Sequence, residues 1–177
     1  MADAGKTDRF EQAVLSHLDA AWNLARWLTR DEAGAEDAVQ DACLRAFRFF
    51  ETQQGPSPKA WFMTVVRNAC LDWLKERRQR GVEEEYDDEE HGVGPGSQEG
   101  PEAAAARAAD VRWLNECMAA LPREYREVLV LRELEELSYK EISAVVGVPM
   151  GTVMSRIARG RDLLQQRLRE ARRRKRS

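Results

Sequence analysis

Residues 137–169 constrain the fold more than any other stretch, because they carry the signals of two helices joined by a tight turn. Ser138 and Glu141 have the spacing of a capping box, in which each side chain accepts a hydrogen bond from the other residue's backbone N–H at the start of a helix. Gly147 suits the left-handed conformation that ends many helices, and Pro149 keeps the first helix from continuing. We therefore expect one helix that ends at Gly147 and a second that begins just after Pro149.

The second helix divides into an apolar face and a polar face. The residues of the apolar face, which suit packing against the first helix, are Val153, Ile157, Gly160 or Arg161, and Leu164. The residues of the polar face, near the helix N-terminus, are Thr152, Ser155, Arg156 and Arg159. In a helix-turn-helix this end of the second helix meets base edges and phosphates in the DNA major groove. A helical hairpin with a solvated basic face is the alternative, but the capping box, the turn spacing and the polar face favour DNA binding.

The first eighty residues contain three further apolar patterns at helical spacing. Helices are expected at 9–29, 35–50 and about 58–80, with a turn at 31–34 and a Gly/Pro-rich break at 53–58. The apolar set of the second of these helices includes Phe47, Phe50, and either Leu44 or Cys43. The residues expected on the outside of the third helix are Arg67, Asn68, Asp72 and the basic run 75–80.

Two features of these helices have more than one interpretation. Glu36, Asp37 and Asp41 suit a solvated first turn that the helix dipole stabilises. Trp61 is most simply a core residue. An aromatic ring beside a broken loop and a basic helix is, however, also typical of surfaces on which single-stranded bases stack.

Charge is unevenly distributed along the chain, and this predicts its organisation. The net charge of −3 would argue against a nucleic-acid partner. Residues 81–102, however, contain nine acidic and no Lys or Arg side chains, whereas residues 103–177 contain 16 basic and 10 acidic side chains. The acidic stretch, rich in Gly, Pro and Ser, predicts a flexible linker. The basic surplus lies with the predicted helix-turn-helix, where it favours nucleic acid.

The C-terminal part completes an all-α prediction. An alanine-rich helix is expected at 103–120, and a second follows Pro122 to about Leu134, ahead of the helix-turn-helix. The expected fold is two small helical domains joined by a flexible acidic linker. The boundaries are 1–80 for the first domain, 81–102 for the linker, 103–170 for the second domain and 171–177 for a frayed basic tail that could add phosphate contacts.

Other features argue against several classes of protein. No stretch has the roughly 20 apolar residues that a membrane-spanning helix needs, and the N-terminus does not resemble a signal peptide, so we expect a cytoplasmic protein without membrane insertion. Cys43, Cys70 and Cys117 are far apart, and the two histidines, His17 and His91, lie in unrelated contexts, so no metal or other cofactor is expected. With no glycine-rich phosphate loop and no paired carboxylates in a plausible cleft, we expect no enzyme.

Taken together, these pieces resemble the extracytoplasmic-function (ECF) group of the sigma-70 family of bacterial RNA polymerase sigma factors. Resemblance to region two is carried by AEDAVQDACLRAFRFF (35–50) and KAWFMTVVRNACLDWLKERR (59–78). Resemblance to region four is carried by LPREYREVLVLRELEELSYKEISAVVGVPMGTVMSRIARGRDLL (121–164). It implies a sigma factor that binds core RNA polymerase through its β′ clamp and β subunit and directs initiation at specific promoters. The resemblance also implies control by an anti-sigma factor and a role in the response to stress or to changes at the cell envelope.

The same resemblance implies roles for individual residues. Those expected to bind core polymerase are Asp37, Gln40 and Asp41. Those expected at the minus-ten DNA element are Trp61, Arg67, Asn68, Lys75, Arg77 and Arg78. Those expected at the minus-thirty-five element are Thr152, Met154, Ser155, Arg156 and Arg159, with Met154 standing where the family often has a basic residue. Core docking replaces the simpler interpretation of the acids as a solvated helix start.

A self-sufficient helix-turn-helix regulator is the alternative function. Its N-terminal block would be a sensor or a dimerisation module, and it would bind a specific duplex tightly without polymerase. The acidic docking pattern at 37–41, followed by an aromatic and basic third helix, favours the sigma factor. A gel-shift series with the protein alone separates the two hypotheses.

Overall fold

The computed structural model describes residues 2–81 and 100–176 of the chain, and these residues form α-helices without any β-strand. The helices are α1 (Ala2–Ala13), α2 (Leu18–Thr29), α3 (Glu32–Phe49), α4 (Pro58–Gln79), α5 (Pro101–Ala119), α6 (Arg123–Leu129), α7 (Tyr139–Val146) and α8 (Met150–Arg176). The all-α prediction is confirmed. Residues 82–99 of the predicted linker lie outside the described residues.

The first predicted helix is in fact two helices. A short 3-10 turn, Leu15–His17, separates α1 from α2. The change of direction turns Phe10 onto the rings of Phe47 and Phe50, at centroid distances of 5.2 and 5.6 Å. Edge-to-face contacts of this kind add to the burial of the rings. The apolar spacing of 9–29 did not reveal the break, because Phe10 and Val14 continue the spacing of the apolar residues of α2.

The expected turn at 31–34 is also replaced by helix. Asp31 is the N-cap of α3, and its carboxylate accepts a hydrogen bond from the backbone N–H of Gly34 at 2.6 Å. Gly34 lies against the ring of Trp73, and a Cβ at this position would come within 2.3 Å of that ring. The lack of a side chain therefore lets the start of α3 approach α4.

The helices form two units that pack against each other. In the N-terminal unit, α2, α3 and α4 enclose a core that contains Leu24, Phe62 and Met63. In the C-terminal unit, α8 packs on α5, α6 and α7, with Ile142 and Ile157 fully buried. Between the units, α4 packs against α7, and α2 against α6.

The ends of two C-terminal helices differ from the prediction. α6 continues into a π-helical turn, Val130–Leu134, closed by a hydrogen bond from the Glu135 N–H to the Val130 carbonyl at 3.1 Å. α8 does not fray beyond Leu168 but extends to Arg176. Basic residues suit the C-terminal end of a helix, where the dipole is negative. None of the described helices is long and apolar enough to cross a membrane.

Candidate nucleic-acid and polymerase interfaces

The helix-turn-helix has the local geometry that its sequence predicts. The Ser138 hydroxyl accepts a hydrogen bond from the Glu141 N–H at 3.1 Å, and the Glu141 carboxylate accepts one from the Ser138 N–H at 2.8 Å. Gly147 follows α7 in the left-handed region, at φ +71°. Burial raises the pKa of Glu141, but the hydrogen bonds from Ser138 and Ser57 outweigh it and hold the pKa below its ordinary value. The predicted capping box and C-cap are confirmed.

Helix α8, the second helix of the helix-turn-helix, buries one face in the protein and exposes the other to solvent. Val153, Ile157 and Gly160 are buried, and a Cβ on Gly160 would lie 3.2 Å from Leu129, so the glycine brings α8 close to α6. Of the two alternatives at the third apolar position, Gly160 is inside. Arg161 is exposed and forms an ion pair with Glu133.

The five residues predicted for the minus-thirty-five element lie in the first three turns of α8, outside its buried stripe. Met154 is 50 % exposed, Ser155 and Arg159 are exposed, and Thr152 and Arg156 are half-buried. The Arg156 guanidinium lies 3.9 Å from the Glu124 carboxylate, so a neighbouring helix orients it without enclosing it. This face can therefore offer hydroxyls, an apolar thioether and two guanidinium groups to a DNA groove.

The predicted polymerase-binding residues form an exposed surface on α3. Asp37 and Gln40 are exposed, and Asp41 is half-buried and paired with Arg45 at 2.6 Å. Leu44 lies one turn further along the same face and is 73 % exposed. Leu44 as a core residue is therefore wrong, and the alternative Cys43, which packs against the core, is right. The exposure of Leu44 was not predicted, although its i+3 and i+4 spacing from Asp41 and Gln40 places it on their face of α3.

The residues predicted for the minus-ten element do not share one environment. Asn68, Lys75 and Arg78 are exposed, and Trp61 is half-buried, with its ring 6.5 Å from that of Phe50. Arg77 is largely buried and donates to the Asp31 carboxylate at 2.7 Å. Trp61 is thus partly a core residue, with one side left at the surface.

The sequence predicts that Arg67 lies on the outside of the molecule, and this prediction is wrong. Its side chain is 15 % exposed and forms a bidentate ion pair with Glu127, whose side chain is 2 % exposed, at 2.8 and 3.1 Å. Glu127 belongs to α6, so this pair joins the two helical units. A charge at this depth is stable only while it is paired, because burial without a partner removes hydration that nothing replaces.

Further polar contacts reinforce this interface around the break at 53–58. The Ser57 hydroxyl donates to the Glu141 carboxylate at 2.8 Å. Lys59 donates to the backbone carbonyl of Glu135 at 2.9 Å, and the Asn23 amide donates to the Glu135 carboxylate at 2.7 Å. The helix-turn-helix unit thus covers the start of α4, and the interface centred on Arg67 and Glu127 is called the closed interface below.

Among the described residues, the cysteines form neither a disulfide nor a metal site. All three are free thiols, and no group of His, Cys, Asp or Glu in the described part of the chain is arranged to hold a metal ion. Burial raises the pKa of Cys70 to about 12, and burial also raises the pKa of Cys43 and of Cys117. All three thiols therefore stay protonated near neutral pH.

Two family models match the chain in order. The Sigma-70 region 2 model matches residues 13–80, and the Sigma-70 region 4 model matches residues 112–164. The first covers α2 to α4, and the second covers the C-terminal part of α5 to the middle of α8, including the helix-turn-helix.

Curated proteins and solved structures agree with this match. The ECF RNA polymerase sigma factor SigE of Mycolicibacterium smegmatis is 32 % identical over 94 % of this chain, which spans 64 % of that protein's length. The ECF sigma factor SigC of Mycobacterium tuberculosis is 31 % identical over 92 % of this chain and 85 % of its own length. The sigma factor RpoE of Bartonella quintana, solved in complex with the anti-sigma factor NepR, aligns with a TM-score of 0.73 at 26 % identity over 91 % of this chain and 97 % of that chain. The chain therefore belongs to the ECF group of the sigma-70 family of RNA polymerase sigma factors.

Proposed function

We propose that this chain is a promoter-specificity subunit that binds core RNA polymerase, directs initiation at its own set of promoters and catalyses no reaction itself. The observation that carries the proposal is the presence of both sigma regions, in order, with an exposed polar face at the N-terminal end of α8. In this function the protein acts in the cytoplasm, where core polymerase and promoter DNA are.

Each part of the chain has its own task in this function. Residues 1–80 dock on core polymerase and open the minus-ten element, residues 103–170 read the minus-thirty-five element, residues 81–102 link them, and residues 171–177 form a basic tail. The minus-ten contacts are assigned to Trp61, Arg67, Asn68, Lys75, Arg77 and Arg78. The minus-thirty-five contacts are assigned to Thr152, Met154, Ser155, Arg156 and Arg159.

Docking on core polymerase is assigned to Asp37, Gln40, Asp41 and Leu44. Exposed leucine surrounded by polar and charged groups is the usual composition of a small binding surface, in which the apolar centre supplies affinity and the charges guide approach. Leu44→Glu is expected to lower affinity for core polymerase about tenfold or more, as measured by fluorescence anisotropy of labelled protein.

Phe49→Glu is the matched control for this variant. Phe49 is 53 % exposed on another side of the same helix, so it receives the same change of chemistry away from the docking surface. An equal loss of affinity in the two variants would contradict the assignment of this face.

Promoter recognition requires that the closed interface opens. Arg67 cannot offer its Nε–Nη2 pair of donors to a phosphate while that pair donates to Glu127. In the proposal, core polymerase draws the two units apart, and the Arg67 guanidinium exchanges a carboxylate for a DNA phosphate, since it binds both groups with the same fork of donors.

An anti-sigma factor is proposed as the negative regulator, as for the B. quintana relative solved with NepR. An apolar groove of about 500 Å³ between α2, α5, the π-helical turn and α8 suits an amphipathic helix of such a partner, with Leu114 and Leu134 exposed in its walls. Leu134→Glu is expected to raise reporter transcription in the source cells and to leave transcription by the purified protein with core polymerase unchanged. Equal loss in both assays would contradict this placement.

Transcription by purified core polymerase tests the whole proposal. Fragmented DNA from the source organism is transcribed with and without this protein, and discrete new transcripts are expected only when it is present. Alignment of their upstream regions would then give both promoter elements, and the transcribed genes are expected to serve an envelope or stress response. Specific duplex binding by the protein alone, without binding to core polymerase, would contradict the proposal and favour a self-sufficient regulator.

A further inference from the structure

A second cavity, of about 390 Å³, lies on another side of the closed interface. The end of α2 and the C-terminal half of α4 form one wall, and the connection between α5 and α6, with part of α8, forms the other. Its floor includes the apolar side chains of Leu28, Leu74 and Leu121. Because both units contribute to it, the cavity exists only in the closed arrangement.

Positive charge is concentrated at this cavity. Its lining includes six arginines, namely Arg30, Arg77, Arg78, Arg123, Arg126 and Arg167, and none of the described lining residues is acidic. Arg77 is paired with Asp31, just outside the lining. Within the described part of the chain, Arg78, Arg123 and Arg167 have no carboxylate at ion-pair distance. Like charges that line one cavity repel one another, so an anion bound among them would reduce that repulsion.

Hydrogen bonding holds one wall of the cavity in place. Arg126, itself buried, donates to the carbonyls of Ala119 and Leu121 at 3.0 and 2.8 Å, and these bonds fix its guanidinium at the cavity wall. The Arg126 guanidinium is therefore fixed on the wall formed by the connection between α5 and α6.

The size and chemistry of the cavity select its ligand. Arginine binds phosphate with two parallel hydrogen bonds. A cavity of this volume has room for several linked phosphates, and arginines on opposite walls can each bind a different one. We propose that the cavity binds a compact polyphosphate anion, either the phosphate chain of a nucleotide or an inorganic polyphosphate. This inference goes beyond promoter recognition and does not depend on it.

Binding of this ligand would oppose promoter binding. Arg77 and Arg78 line the cavity and are also assigned to the minus-ten element, so one ligand excludes the other at these two side chains. A polyphosphate that bridges Arg78 and Arg167 would also hold the two units in the closed arrangement. The site is thus a means of coupling sigma activity to an anionic small molecule.

Calorimetric titration of the full chain tests the inference. Tripolyphosphate, ATP and inorganic phosphate are the three probes, in about 0.15 M salt so that weak surface binding is screened. Saturable binding at one site is expected for tripolyphosphate, with affinity about tenfold or more above that of inorganic phosphate. ATP binding as tight as tripolyphosphate would indicate a nucleotide as the source, and ATP binding about tenfold weaker would indicate inorganic polyphosphate.

Variants on each wall locate the site. Arg78→Gln and Arg167→Gln are each expected to weaken tripolyphosphate binding about tenfold. Arg169→Gln is the matched control, since Arg169 is exposed on the same helix as Arg167 but does not line the cavity. Absence of saturable binding would overturn the inference, and so would an equal effect of Arg167→Gln and Arg169→Gln, which would indicate general attraction to basic α8.

Discussion

At the scale of single residues, Asp31 connects two helices through one carboxylate. It caps α3 through the Gly34 N–H and pairs with Arg77 of α4. Burial raises the pKa of Asp31, but the Gly34 hydrogen bond and the Arg77 guanidinium outweigh that effect and hold the pKa below its ordinary value. The folded protein therefore binds this proton less readily than the unfolded chain.

The lowered pKa of Asp31 predicts a pH-dependent effect of Asp31→Asn, a substitution that keeps the capping oxygen and removes the charge. The carboxylate stabilises the fold above its ordinary pKa, and the stabilisation is lost as the pH falls through the lower pKa of the folded state. At pH 7, which lies well above both values, we expect the variant to be less stable by on the order of 1 kcal/mol. The difference should shrink as the pH falls below about 4, as measured by urea unfolding. A constant difference across this range would contradict the assignment.

Cys70 allows a second prediction at this scale. Because burial raises its pKa to about 12, its thiolate is scarce near neutral pH, and the buried sulfur is also shielded from reagents. After brief treatment of the folded protein with iodoacetamide, peptide mapping should find Cys70 unmodified and the half-buried Cys43 modified first. In urea, where the chain is unfolded, Cys70 and Cys43 should be modified at similar rates. Rapid modification of Cys70 in the folded protein would mean that the core of the N-terminal unit opens locally.

The predictability of individual residues depends on how far apart the interacting partners are in sequence. Ser138, Glu141 and Gly147 act within a few residues of one another, so the sequence was sufficient to predict their roles. The ion pair of Arg67 and Glu127 joins residues 60 positions apart. Either charge alone looks like a normal surface residue, and only the packing of the two units buries them.

At the scale of helices, Gly34 determines how closely α3 approaches α4. Gly34→Ala is expected to lower the free energy of unfolding by about 2 kcal/mol, because the new methyl group would overlap the ring of Trp73. Gly151→Ala is the matched control, since no atom lies within 4 Å of a Cβ there and alanine is the better helix former. It should leave stability unchanged or raise it, as thermal unfolding would measure. Equal effects would contradict a packing role for Gly34.

Helix boundaries were predictable where a cap or a proline marks them. α4 begins at Pro58, as the sequence indicated, because Ser57 caps it and proline suits the first turn. The start of α3 was missed because Asp31 can begin either a turn or a helix, and the choice depends on Arg77 of another helix. The helical tail beyond Leu168 was also missed, since its polarity hides that it continues from a helix already anchored by packing.

At the scale of the whole molecule, the closed interface depends on buried charge. If the two units stayed together, loss of Glu127 would leave Arg67 buried without its counter-charge, at a cost of roughly 3–5 kcal/mol. Separation of the units avoids that cost because water then hydrates the guanidinium. Glu127→Gln is therefore expected to enlarge the radius of gyration measured by small-angle scattering, with little change in helix content by circular dichroism.

Glu124→Gln is the matched control on the same helix. Glu124 is exposed and lies 3.9 Å from Arg156, outside the interface between the units. Its loss should leave the radius of gyration unchanged. If neither variant enlarged the molecule, apolar packing between α4 and α7 would hold the units together without the ion pair.

The closed interface joins two parts of one polypeptide, so its formation is a first-order process. Dilution of the protein does not weaken it, unlike the binding of polymerase or DNA, which falls as either partner becomes scarce. If core polymerase opens the interface, as proposed above, the fraction of open molecules in a cell follows the concentration of free core polymerase and not the abundance of this protein. At low levels of free polymerase the chain would persist in a state that neither binds promoters alone nor competes with other sigma factors for them.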